Sequence, residues 1–129
     1  MCYYSLGIAY LTIQDLEEAI SYLTQGIEAA QAINDLYLRG LGITYLAEAY
    51  YQQPDYPATM FYASVGMYSL YQIGAQEWRQ AARILDSLEK QLGIGGVMIL
   101  PQERLIELLG TEGYDSLPEL LAEYRRSES

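Results

Sequence analysis

Residue types that could do chemistry are scarce in this chain. Among its 129 residues there is no histidine. Cys2 is the single cysteine. Alone it can neither close an internal disulfide nor build a thiolate metal site, and it reads as a thiol in a reducing cytoplasm. No Gly-x-Ser-x-Gly turn occurs, and no glycine loop ending in lysine that could cradle a phosphate. Gly93-Ile94-Gly95-Gly96 has the glycines of such a loop. No strand is expected before it and no lysine follows, so it reads as a flexible joint. Paired acids such as Glu17-Glu18 fall on a helix surface, where they serve solvation. No catalytic, cofactor-binding or metal-binding residue is expected, and the chain is not expected to be an enzyme.

Charge narrows the partners. Seventeen acidic residues stand against seven basic ones, a net charge of −10. Nucleic-acid binding rests on Lys and Arg neutralising phosphates, so this balance argues against it, as it does against an anionic membrane surface. No apolar run approaches the roughly 20 residues that span a bilayer. The opening Met1-Cys2-Tyr3-Tyr4 has no basic region of a secretory signal. Fourteen tyrosines accompany one phenylalanine. Tyrosine combines a large apolar face with a polar tip, which suits a protein-binding surface.

Helical spacing dominates the elements that must carry these residues. Leu16, Ala19, Ile20, Leu23, Ile27 and Ala30 recur at i, i+3/i+4 and predict an amphipathic helix over about 16–33. Asp15 supplies its N-cap, with Glu18 completing a capping-box-like pair. Further helices are expected over about 1–12, 36–51, 57–73 and 76–92. They are separated by Asn34-Asp35, by the Gln52–Pro57 interruption and by Gly74, and the last stops at Gly93. Val97-Met98-Ile99-Leu100 is apolar enough to dock on the preceding helices. Pro101 opens a helix to about Leu109 that Gly110 closes, and Ser116 with Glu119 forms a second capping box for a last helix to about Arg126.

One pattern recurs at long range. Leu6-Gly7-Ile8-Ala9-Tyr10 returns 35 residues later as Leu41-Gly42-Ile43-Thr44-Tyr45. A looser echo, Trp78 with Ala81-Ala82 and Leu85, stands 40 residues beyond Leu38, Leu41-Gly42 and Tyr45. Large–small patterns returning at such intervals mark stacked helical hairpins. Residue by residue the pattern resembles the tetratricopeptide repeat. Tyr3, Leu6-Gly7, Tyr10, Ala19, Leu23 and Gly26 match one unit. Leu38, Leu41-Gly42, Tyr45, Ala58, Tyr62 and Val65 match a second, and Trp78, Ala81-Ala82 and Leu85 match the first helix of a third. Gln31 stands where that family has a closing proline. The spacing is similar to variant repeats of large bacterial regulatory proteins.

The resemblance implies an all-α solenoid of antiparallel hairpins over 1–93, with a glycine-rich joint and helical C-terminal cap over 94–129. It implies protein–protein interaction, a peptide or helix of a partner lying in the concave groove. The family's groove positions fall here on Tyr4, Ile8, Arg39, Ile43, Arg79 and Arg83. Three arginines in an acidic chain suggest an acidic protein or peptide as partner. No cofactor, nucleic acid or membrane is expected, and the expected place is the cytoplasm. The chain is expected to open inside a helix, as a piece of a longer array would. The alternative expectation is a structural module self-associating through an exposed solenoid end. A third is an enzyme or small-ligand binder with a pocket between the solenoid and the Gly93–Leu100 joint.

Overall fold

A helix-starting aspartate appears every 20 residues. Asp15, Asp35 and Asp55 each accept a hydrogen bond from the backbone N–H three positions on, at Glu18, Leu38 and Ala58 (3.4, 3.0 and 3.2 Å). Each bond satisfies one of the N–H groups a helix leaves without a partner at its start. The helices before Asp15 and Asp35 close in a left-handed residue, Gln14 (φ 63°) and Asn34 (φ 58°). Gly74 (φ 72°) does the same at the next such turn but one.

These stops and starts divide the chain, a computed structural model describing residues 3–92 and 102–128. The helices are α1 (Tyr3–Thr12), α2 (Leu16–Ala32), α3 (Leu36–Gln52), α4 (Tyr56–Gln72), α5 (Trp78–Leu92) and α6 (Gln102–Glu128). Among the described residues every regular element is a helix, and none is long and apolar enough to cross a membrane. Each helix from α1 to α5 packs against the next. α1 also touches α3, α3 touches α5, and α6 lies across α4 and α5.

The turn spacing makes the structural repeat 40 residues, two helices long. Side chains obey the same period. Tyr10 stacks on Tyr22 with ring centroids 5.5 Å apart, and Tyr50 on Tyr62 at 5.4 Å. The tyrosine hydroxyls of Tyr37 and Tyr51 on α3 donate to Glu77, in the turn before α5, and to Gln91 in α5, each 40 residues on.

This period corrects the 35-residue alignment of the two Leu-Gly pairs. A Cβ at Gly7 would lie 2.7 Å from Leu23 of α2, whereas one at Gly42 would lie 2.5 Å from the Tyr4 hydroxyl of α1. Gly7 thus admits the partner helix of its own hairpin, and Gly42 admits the preceding hairpin. The residue 40 beyond Gly7 is Ala47, fully buried. The later echo keeps the 40-residue spacing, and Trp78, Ala81, Ala82 and Leu85 are all buried.

The C-terminal region differs from expectation in one respect. Residues 102–128 form one helical element interrupted only at Gly110 (φ 79°, ψ 165°), so it has a first limb, 102–109, and a second, 111–128. Ser116 does not cap a new helix. Its hydroxyl donates to the Gly113 carbonyl inside the second limb. The cause is that a capping side chain needs a non-helical backbone, and here the break falls six residues earlier, at the glycine. Leu105, Leu117, Leu120, Leu121 and Tyr124 join the core formed by α4 and α5. Cys2, the Gly93–Leu100 joint and Pro101 lie outside the described residues.

Candidate functional site

The six residues expected to line one groove have different fates. Tyr4 is buried between α1 and α3, its hydroxyl donating to the Leu38 carbonyl. Ile43 is buried in the core of α3, α4 and α5. Both pack the interior, because close helix approach at Gly42 draws Tyr4 inward. Ile8 is half-buried and Arg83 exposed.

Arg39 and Arg79 stand 40 residues apart, on equivalent turns of α3 and α5. Their surroundings differ. Arg39 lines a cavity of about 220 Å³ with Leu36, Tyr68, Gln72, Ile73 and Leu108. Arg79 lies over the Trp78 ring, 5.0 Å from its centroid, and donates to the Ser127 hydroxyl at the far end of α6. The first limb of α6 packs beside Arg39 and its last turn beside Arg79, so the two guanidinium groups do not meet in the contacts formed.

A more continuous surface runs along α4. Phe61, Val65, Tyr68 and Gln72 follow one another at helical spacing and make a stripe facing the first limb of α6. At its start Arg104 sits over Phe61, 4.4 Å from the ring centroid, a favourable cation–aromatic contact. A cavity of about 310 Å³ opens there among Tyr50, Asp55, Pro57, Phe61, Tyr62 and Arg104. A second, of about 360 Å³, adjoins it at Phe61, Arg104, Glu107 and Leu108. Leu108 carries the surface on into the Arg39 cavity. Arg104 and Leu108 were not singled out in the sequence, since no repeat landmark falls on the first limb of α6.

Charge along this surface is simple. Among the described residues, Lys90 and Arg125 pair with Asp86, Arg125 also with Glu89, and Arg126 with Glu119. Arg39 and Arg104 have no ion pair among the described residues. Asp55 faces the first cavity with one carboxylate oxygen held by the Ala58 N–H. Burial pushes the Tyr50 hydroxyl above its ordinary pKa, with Tyr62 and Asp55 adding to the effect. Tyr50 therefore stays a neutral hydrogen-bonding group at physiological pH. Among the described residues no group of three or more His, Cys, Asp or Glu could hold a metal ion. What the surface offers is binding: apolar contact, hydroxyl and amide hydrogen bonds, and two guanidinium groups.

Compared with protein-family models, curated proteins and solved structures, the chain finds no match.

Proposed function

We propose that this chain is a protein-interaction module, a tetratricopeptide-like stack of helical hairpins that binds a peptide or helix of a partner protein. The observation that carries the reading is the 40-residue recurrence of whole contacts, not of residue types alone. Tyr10–Tyr22 and Tyr50–Tyr62 stack alike, and Tyr37 and Tyr51 each reach their counterpart position one hairpin on. Hairpins repeated in this way bury a shared core and leave long side surfaces for partners. A 40-residue unit is longer than the 34-residue tetratricopeptide form. The added length lies in helices of 17 residues rather than in loops.

Binding along the odd-numbered helices uses Ile8, Arg79 and Arg83; Arg39, the fourth groove position that is not buried, lines the cavity against α6 instead. The 94–129 region acts as the cap of the stack, and the partner is an acidic protein or peptide. No catalytic step belongs to this function. The module works in a reducing cytoplasm.

Photo-crosslinkers at Ile8 and Arg83, with one at Glu17 on α2 as control, test this reading in native extract. A discrete second polypeptide captured at the first two positions and not at the third supports it. Capture only of further copies of the same chain would favour the self-associating module instead.

A further inference from the structure

We infer that the seam between α4 and the first limb of α6 is a docking surface for a short acidic segment, an apolar centre flanked on both sides by carboxylates. This rests on the interaction reading but places the partner on a different surface from Ile8, Arg79 and Arg83.

Three observations define the occupant. First, the cavities are contiguous: the first two share Phe61 and Arg104, and the second joins the third at Leu108. Second, an arginine without an ion pair among the described residues stands at each end, Arg104 over Phe61 and Arg39 beside Tyr68 and Gln72. Third, apolar surface is left open at Arg39's end: Leu36, Ile73 and Leu108 are 55%, 40% and 51% exposed.

The spacing follows from helix geometry. Tyr68 and Gln72 lie seven and eleven residues beyond Phe61, so the two arginine positions are roughly 10–16 Å apart along α4. An extended peptide covers that distance in about three to five residues. Glu107 stands between the two arginines and disfavours a carboxylate at the middle of the segment. Asp55, at the Arg104 end, has one oxygen committed to the Ala58 N–H. In a chain of net charge −10 most of the surface repels an acidic ligand. The seam accepts it where guanidinium groups wait, so the surrounding repulsion sets the register as much as the attraction does.

The probe is a fluorescein-labelled synthetic peptide, Glu-Glu-Gly-Leu-Gly-Glu-Glu, and its counterpart with every Glu replaced by Gln. Binding to the whole chain is read by fluorescence anisotropy. The acidic peptide binds, weakens with added salt, and outcompetes the Gln peptide by about tenfold or more. Arg39→Gln and Arg104→Gln each weaken it by roughly five- to tenfold, with unchanged thermal melts. Absence of acidic-peptide binding, equal binding by wild type and both variants, or tighter binding of the Gln peptide would each overturn the seam. None of these outcomes alters capture at Ile8 and Arg83, so failure of the seam and failure of the interaction module are read separately.

Discussion

Tyr4 lies so close to Gly42 that a Cβ there would fall 2.5 Å from the tyrosine oxygen and 2.6 Å from a ring carbon. The ring has nowhere easy to go, since it is buried and its hydroxyl is committed to the Leu38 carbonyl. Gly42→Leu therefore overpacks the contact between α1 and α3 at a cost of roughly 1–3 kcal/mol or more. Urea unfolding checks this. The double variant Gly42→Ala with Tyr4→Leu should recover part of the loss seen with Gly42→Ala alone, because it removes the atoms in collision. An unchanged unfolding midpoint in Gly42→Leu would contradict the packing described.

Arg125 ties α6 to α5 through Asp86 and Glu89, whose side chains are 12% and 7% exposed. Burial pushes the Asp86 carboxyl up, but its hydrogen bonds to Arg125 and Lys90 outweigh that and hold it below the ordinary carboxylate range. One Glu89 oxygen, Oε1, is buried without a partner among the described residues. Arg125→Met strands Glu89 and leaves Asp86 with Lys90 alone. The Arg125 side chain is 45% exposed, and solvent screening reduces the loss below that of a fully buried pair, to roughly 1–3 kcal/mol near pH 7. A depressed folded pKa gives stabilisation that is present above the unfolded value of about 4 and lost as pH falls through the folded one. The melting curves of wild type and variant should thus draw together below about pH 4.

Tyr37 behaves in the opposite sense. Its hydroxyl donates to Glu77, and that hydrogen bond, with smaller contributions from burial and the nearby charge, raises its pKa. A raised folded pKa gives stabilisation that is complete below the unfolded value of about 10 and lost as pH rises through the folded value. Wild type should lead Tyr37→Phe in melting temperature at pH 8 and lose that lead above about pH 10. A constant difference across this range would show that the Tyr37–Glu77 hydrogen bond adds nothing there.

Much of the helical layout was legible in the residues. Asp15, Asn34-Asp35, Pro57 and Gly74 mark starts and stops by mechanisms that act within a turn or two of the chain: side-chain capping, a fixed φ and tolerance of left-handed backbone. The amphipathic face of α2 was equally plain, since Ala19, Leu23 and Ala30 point to one side and are all buried. The first repeat alignment was not. Leu6-Gly7 and Leu41-Gly42 look alike as text, yet a glycine signals only that something comes close, never which helix does.

The candidate site shows the same division. The sequence by itself determined the acidic balance, the scarcity of catalytic side chains, the caps and most helix bounds, because composition and local hydrogen bonding depend on neighbours along the chain. Tertiary structure alone decided that Tyr4 and Ile43 are interior, that Arg39 and Arg79 meet different limbs of α6, and that Arg104 lies over Phe61 43 positions earlier in the chain. These outcomes depend on where α6 crosses α4 and α5. That crossing is set by the summed burial of Leu105, Leu117, Leu120 and Leu121 against helices distant in sequence, a non-directional force with no local signature in any one of them.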